Sequence, residues 1–276
     1  MAITVSNLVV YPVKSMAGIE LSEAELVDTG FRFDRSWMVV DDNDRFLTQR
    51  RHPEMALVRA EPITGSGGQP GIILTFPDAT SVSVPLVRAD DRDRVVRVDI
   101  WGETVEAVDQ GADVAGALTR YLGRPARLVF LSEKAPRQLG SSYPSPPGIH
   151  VGFADSSPLH LLSEASFHDL KGRLERPVRI DRFRANIIVS GTEAFAEDSW
   201  SRVRIGGVEL LIVKDCIRCQ VINVDQQTGE KEIDPLETLG SYRSGPIGPR
   251  FGRKVVHKGT GMIRVGDTVE VCEVVS

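Results

Sequence analysis

Several features that mark other protein classes are scarce or missing in this chain of 276 residues. Its three cysteines are an odd number and too few for a disulfide framework, so we expect reduced thiols in a cytoplasmic compartment. Positive charge is not in excess, since the formal net charge is -5, and this argues against a nucleic-acid-binding protein. No apolar run approaches the roughly 18 residues that span a bilayer, and the N-terminus shows no export signal. We therefore expect neither nucleic acid nor a membrane as a partner.

What the chain does have, in its first hundred residues, is a series of short apolar and β-branched runs with little helical periodicity. Turn residues at 41–44, 65–68 and 77–78 separate several of these runs. The spacing predicts a small antiparallel barrel or sandwich. The predicted strands are residues 5–10, 37–40, 71–76, 80–84, 95–100 and 104–108.

The pattern changes after a predicted helix at 113–122, and we place a domain boundary there, between residues 1–122 and 123–276. A stretch rich in Pro, Gly and Ser at 136–148 predicts a mobile surface loop. The fold class predicted for the whole chain is mixed α/β and mostly β. The other predicted elements are helices at 163–174 and at 234–242, the latter capped by Asp234, and strands at 186–190, 203–205, 208–213 and 264–271.

Two of the three cysteines, Cys216 and Cys219, lie between the apolar segments 210–213 and 221–224, which we predict as strands. Thiolate is a soft metal ligand, and the guanidinium of Arg218 between the two thiols favours their ionised form. Four interpretations stay open at this point. A zinc site would need two further ligands and a redox pair would need a helix start, and the sequence indicates neither. The other two are a buried structural thiol pair and a single thiolate bound to a redox metal.

Polar residues beside the predicted strands are candidate binding residues, each with a plainer alternative. Lys14 and Ser15 interrupt the first strand, and such a pair either binds phosphate or forms a solvated turn. Arg35 lies between apolar residues at a strand start, where a pair with Asp34 is the plainer alternative.

Two further groups lie in the second half of the chain. Short polar side chains at 155–157 precede an apolar strand, and they either form a turn or line a polar cofactor pocket. Arg184 and Asn186 stand before another strand, where a guanidinium fork and an amide suit a phosphate and a fused heterocycle, or a surface strand start. The five histidines are scattered without metal-ligand spacing, and we interpret them as structural or surface residues.

These segments form an ordered series that covers nearly the whole chain. Its motifs are Tyr-Pro-Val-Lys-Ser at 11–15, Asp-Arg-x-Trp at 34–37, Phe-Arg-x-Asn-Ile at 183–187, Cys-x-Arg-Cys at 216–219, Val-Asp-x-x-Thr-Gly at 224–229 and Pro-Leu-x-Thr-Leu-x-x-Tyr-Arg at 235–243. Each motif is weak alone, but their order resembles the MOSC family. Within that family the chain resembles the amidoxime-reducing components and the bacterial reductases of N-hydroxylated bases. One departure is Ala185, which stands where a proline is usual.

The resemblance implies an N-terminal MOSC β-barrel domain, a MOSC β-barrel domain with a few helices, and a molybdenum cofactor (molybdopterin with Mo) between them. It makes Cys219 the metal ligand and catalytic residue and leaves the role of Cys216 open. The other implied contacts are Lys14, Ser15 and Arg35 at the phosphate end, Asp155, Ser156 and Ser157 at the pterin, Arg184 and Asn186 as further cofactor contacts, and backbone groups of Ile217 and Arg218 near the metal.

The activity implied by the resemblance is reductive removal of oxygen from small N-hydroxylated compounds, N–OH to N–H. A fused [2Fe–2S] module would need about four clustered cysteines, so we expect a separate electron donor: a ferredoxin, a flavoprotein or a cytochrome. Pyridoxal phosphate binding is a further association at the level of the family. The alternatives are a carrier of molybdenum cofactor or sulfur without turnover, and a non-enzymatic binding module with a structural thiol pair.

Overall fold

The computed structural model describes residues 2–63, 69–88, 90, 94–138 and 149–275, and over these ranges the chain is mostly β. This confirms the predicted fold class. The predicted turn at 65–68 and most of the predicted loop at 136–148 lie outside the described residues. The helices of the described ranges are α1 (Ala112–Leu122), α2 (Glu164–Arg173) and α3 (Leu236–Tyr242).

The largest sheet contains strands from both ends of the chain. Its strands are antiparallel to their neighbours except for one parallel pair, which Leu159–Ser163 and Ile187–Ser190 form. In spatial order, with β18 (Ser244–Gly245) beside β19, they are β2 (Ile19–Leu21), β1 (Thr4–Val10), β15 (Ile187–Ser190), β14 (Leu159–Ser163), β19 (Gly248–Lys258), β17 (Val208–Ile217), β16 (Trp200–Ile205) and β21 (Val269–Val274).

Smaller sheets complete the described structure. One is β5 (Trp37–Val40), β11 (Arg127–Leu131), β10 (Glu103–Asp109) and β9 (Val95–Ile100). The others are β6 (Arg59–Ile63), β7 (Gly71–Thr75) and β8 (Ser81–Pro85); β20 (Gly261–Arg264), β3 (Glu23–Val27) and β4 (Gly30–Phe31); and β12 (Arg137–Gln138) with β13 (His150–Val151). Since β11 follows residue 123 and pairs with β5 and β10, the small sheet continues past the proposed boundary, which stays a prediction.

Three local predictions need correction. Residues 221–224 are not a strand, because Gln220–Asn223 forms a 3-10 turn directly after Cys219. The predicted strand at 264–271 is two strands, β20 and β21, on either side of a turn. Helix α3 begins at Leu236, and Asp234 accepts from Thr238 N at 3.1 Å instead of occupying the cap position, which falls to Pro235.

A row of backbone contacts across the large sheet joins the two halves of the chain. Asn186 O accepts a hydrogen bond from Val9 N at 2.9 Å, and His160 O accepts one from Asn186 N at 2.8 Å. His160 on β14 is in turn opposite Lys254 on β19. The loop after β1 therefore starts beside the segments that begin β14 and β15.

The same loop is also attached to the smaller sheet. Lys14 N donates to Trp37 O at 2.8 Å, and Trp37 N donates to Pro12 O at 3.0 Å. Trp37 is fully buried and packs against Phe130 with ring centres 5.0 Å apart. Since burial of so large a ring contributes several kcal/mol in its own right, Trp37 fixes this loop firmly to the core.

Gly152 lies so close to the backbone of residues 34–35 that only a residue without a side chain fits there. A Cβ atom at this position would lie 2.6 Å from Arg35 O, and Phe153 N donates to that same oxygen at 2.6 Å. Contacts of this length to backbone cannot be relieved by a side-chain rotation.

We expect Gly152→Ala to lower the free energy of unfolding by about 1–3 kcal/mol, because the added methyl group forces the two backbones apart. Gly172→Ala is the matched control: Gly172 is exposed in α2 with nothing within 4 Å of the place a Cβ atom would take, so alanine should stabilise by roughly 0.5–1 kcal/mol. Urea unfolding of both variants measures the two changes. Equal effects would contradict the close approach.

Candidate active site

A polar cavity of about 130 Å³ lies where the loop after β1, the segments before β14 and β15, and the end of β17 meet. Of the residues predicted from the sequence to form a site, Ser156 alone does not line it. The predicted residues that do line it are Lys14, Ser15, Arg35, Asp155, Ser157, Arg184, Asn186, Ile217, Arg218 and Cys219.

The cavity concentrates positive charge in a chain whose net charge is -5. One carboxylate, Asp155, lines it. The lysine and arginine side chains that line it are Lys14, Arg35, Arg50, Arg184, Arg218 and Lys254. Cations gathered in a partly enclosed space attract anions more strongly than the same charges would on an open surface. The arrangement therefore fits an anionic ligand.

Three residues that line the cavity have a strained backbone. Ser15, Arg35 and Arg184 have φ values of 70°, 47° and 54°, in the left-handed region that costs a non-glycine residue about 1 kcal/mol or more. Hydrogen bonds hold these conformations: Arg35 N donates to Tyr11 O at 2.8 Å, and Arg184 N donates to Asp181 O at 3.0 Å. Such strain is common where backbone geometry serves a binding site.

A buried network fixes Arg35 in the cavity. Asp34 Oδ1 accepts from Tyr11 N at 2.9 Å and from Asn186 Nδ2 at 3.0 Å. Arg35 Nη1 donates to Asp34 Oδ2 at 2.5 Å and to Asn186 Oδ1 at 3.0 Å. The ion pair between Arg35 and Asp34, one of the two alternatives considered from the sequence, is therefore present. It orients the guanidinium, which still lines the cavity.

Lys14 is also buried, so the solvated turn considered for this loop is not what forms. Its side chain is 7% exposed, and Nζ donates to Phe153 O at 2.8 Å and to the Asp155 carboxylate. Burial lowers the pKa of Lys14, and Asp155 opposes that change. Burial would raise the pKa of Asp155, but the charge of Lys14 and of Arg50 brings it below the usual value.

Arg184 and Arg35 both lie over the ring of Tyr11, at 4.1 Å and 4.4 Å from its centre. Burial lowers the pKa of Arg184 to about 10 and raises the pKa of Tyr11 to about 12. Arg184 Nη1 donates to Met16 O at 2.7 Å. Both guanidinium groups therefore make a cation–π contact with the same aromatic ring.

The two cysteines of the pair have different surroundings. Cys216 is 3% exposed near the end of β17, and Arg218 Nη1 donates to its Sγ at 2.8 Å. Burial would raise the pKa of Cys216, but the charges of Arg218, His160 and Lys254 lower it well below its ordinary value. Arg218 contributes the largest of these three effects, and burial lowers the pKa of His160 itself.

Cys219 follows where β17 has ended, and its partner is a residue that the sequence did not single out. Arg50 Nε and Nη2 each donate to Cys219 Sγ at 3.4 Å. All three cysteines are free thiols. Within the described ranges, no group of three or more His, Cys, Asp and Glu side chains is placed to hold a metal ion.

Sequence reasoning missed Arg50, His160 and Lys254, which all line the cavity. His160 was interpreted as structural or on the surface, and it is 4% exposed with Nε2 lacking a hydrogen-bond partner. A histidine inside the apolar run Leu159–Ser163 is a signal that could have found it. Nothing in the sequence distinguishes Arg50 from its neighbour Arg51.

Comparisons with known proteins agree with this architecture. Residues 2–125 match the MOSC N-terminal beta barrel domain, and residues 149–270 match the MOSC domain. Mitochondrial amidoxime reducing component 2 of Rattus norvegicus is 37% identical over 96% of this chain and 82% of its own length. The chain belongs to the MOSC family. Mitochondrial amidoxime-reducing component 1 of Homo sapiens is 35% identical with the same coverage, and molybdenum cofactor sulfurase of Danio rerio is 31% identical over 92% of this chain and 32% of its own length.

In this MOSC protein the cavity draws side chains from both matched regions. Lys14, Arg35 and Arg50 come from the first, and Arg184 and Cys219 come from the second. No helix in the described ranges is both long and apolar enough to cross a membrane.

We expect Cys216→Ser to lose a stabilisation that depends on pH. The folded thiol has a pKa below its ordinary value of 9.0, so the unfolded chain binds the extra proton and stability rises with pH up to about 9. The difference in free energy of unfolding between the parent and Cys216→Ser should grow over that range. Urea unfolding at a series of pH values measures it, with Cys272→Ser as control. A difference independent of pH would mean that Cys216 is not ionised.

Proposed function

We propose that this protein is a molybdenum-cofactor-dependent reductase that converts N–OH groups to N–H. The observation that carries the proposal is the convergence of a free thiol, Cys219, with six cationic side chains in one cavity of a MOSC chain. Relatives named amidoxime-reducing components, 35–37% identical over 96% of this chain, support the reaction class. Each turnover takes two electrons and two protons and releases the oxygen as water.

The residues of the cavity fit a phosphorylated pterin that carries molybdenum. A phosphate needs cations and N–H donors that converge from several directions, and Lys14, Ser15 and Arg35 are assigned to it. A soft metal takes a thiolate, and Cys219 is assigned as that ligand. The remaining assigned contacts are Asp155, Ser156, Ser157, Arg184, Asn186, Ile217 and Arg218. The support for Ser156 is weakest, since it does not line the cavity.

When bound, the cofactor supplies the two-electron oxygen transfer, and the protein contributes placement. Burial of Lys14 and Arg184, at 6% and 8% exposure, strengthens their attraction for an anion because little water screens it. Asp34 and Asn186 hold Arg35 in one orientation, so little entropy is lost on binding. Arg218 N already donates to Pro249 O at 2.7 Å, so the backbone contribution expected near the metal would have to come from other groups at 217–219.

Three finer points belong to the same proposal. We propose that the electrons come from a separate ferredoxin, flavoprotein or cytochrome. The cytoplasmic location stays a prediction, and the curated relatives carry the word mitochondrial in their names. Pyridoxal phosphate binding also stays a prediction.

Cys219→Ala should lose most of its molybdenum and lower reductase activity by more than about 100-fold. Substitution of a residue that only contacts a metal ligand already costs about 10- to 100-fold in metal affinity or activity. Metal analysis and oxidation of a reduced dye with an N-hydroxyamidine measure the two effects in protein made by a cofactor-competent host. Cys272→Ser on β21 is the control. Full metal content and activity in Cys219→Ala would overturn the assignment. A parent that binds molybdenum without turnover would instead support the carrier alternative.

Lys14→Met should lower cofactor occupancy at least about tenfold, because it removes a buried charge that is worth roughly 1.5–3 kcal/mol in a hydrogen bond to an anion. Arg35→Lys should have a smaller effect, since it keeps the charge and loses the fork. Occupancy is read from released, oxidised pterin per protein chain. The control is Lys171→Met, an exposed position on α2. Unchanged occupancy in Lys14→Met would remove Lys14 from the phosphate site.

A further inference from the structure

Arg50 is held at the cavity by contacts that fix its guanidinium in one place. Its Nε and Nη2 each lie 3.4 Å from Cys219 Sγ, and Nη2 also donates to Asp155 Oδ2 at 3.1 Å. The guanidinium lies 4.8 Å from the centre of the Trp101 ring. Its backbone oxygen accepts from Lys231 Nζ at 2.7 Å.

The partners of Arg50 are themselves connected. Trp101 Nε1 donates to Asp155 Oδ1 at 3.1 Å, and the Trp101 ring packs against Phe46 with centres 4.8 Å apart. The plane of the guanidinium is therefore set by a carboxylate at one end and an aromatic face at its side. Arg50 therefore presents the N–H groups of Nε and Nη2 to Cys219 in a fixed direction.

We propose that Arg50 is a positioning residue for the sulfur of Cys219. Its two hydrogen bonds orient the sulfur and weaken the electron donation from the sulfur to the bound metal. This inference rests on the proposed function, in which Cys219 is the molybdenum ligand. Hydrogen bonds to a ligand sulfur withdraw electron density from it, so the bound metal becomes easier to reduce. An arginine suits this role because it stays charged and presents a planar fork, which a lysine does not.

The charge of Arg50 adds to the effect of its hydrogen bonds. An arginine stays protonated in proteins, so the guanidinium of Arg50 keeps its charge at the edge of the cavity. A positive charge 3.4 Å from the sulfur favours the more reduced metal over the more oxidised one. The charge and the hydrogen bonds of Arg50 therefore both favour electron transfer from the donor to the bound metal.

The test compares Arg50→Gln and Arg50→Lys with Arg51→Gln, which removes the same charge from an exposed neighbouring position. Molybdenum content, the reduction midpoint potential of the bound metal followed by EPR, and the kinetic constants are measured on the loaded proteins. We expect the potential to fall in Arg50→Gln, to fall less in Arg50→Lys and to stay unchanged in Arg51→Gln. The kcat should fall about 10- to 100-fold in Arg50→Gln with little change in KM.

Each outcome decides the question. Loaded Arg50 variants with the parent's potential and EPR spectrum would overturn the role of Arg50. If Arg50→Gln does not load, Arg50→Lys carries the comparison. If neither loads, while both keep the parent's circular dichroism and melting temperature, Arg50 binds the cofactor directly and the proposal is wrong. A parent without molybdenum would overturn the proposed function itself, and this result is distinct from all the others.

Discussion

Asp34 and Asn186 make the buried contact on which the rest of the cavity depends. The carboxylate of Asp34 accepts from a backbone N–H of the first half of the chain and from the amide of Asn186 in the second half. Asn186 is 1% exposed, its Nδ2 also donates to Val9 O, and its Oδ1 accepts from Arg35 Nη1, so it cannot move without leaving buried groups unsatisfied. Arg35, Arg184 and the loop at 11–15 take their positions from this contact.

The same contact explains how an acidic protein keeps a cationic cavity. Six cations around one small volume repel one another, and burial makes the repulsion stronger. Contacts in and around the cavity offset part of this cost: Asp34 pairs with Arg35, Asp155 pairs with Lys14 and Arg50, and both Arg35 and Arg184 lie over the ring of Tyr11. The cavity keeps a net positive charge, which an anionic ligand would neutralise.

The sequence could predict those parts of the site that are carried by local pattern. Lys14, Arg35, Asn186 and Cys219 lie in short motifs whose order resembles one family, and the structure brings these four side chains to one cavity. Arg50 belongs to no such motif, because its importance comes from a thiol 169 residues away. The turn at 220–223 was misjudged for a similar reason, since contacts outside the local segment decide between a strand and a tight turn.

The pairing of β1 with β15 has a consequence for how this chain is made. Val9 and Asn186 are bonded across 177 residues of sequence, so among the described strands β1 has only the three-residue β2 beside it in its sheet until those residues have been synthesised. Until then its apolar residues and its other edge are exposed. Contacts of such long sequence separation also slow folding. The arrangement that builds the cavity from both matched regions therefore delays its formation until the second of them has been synthesised.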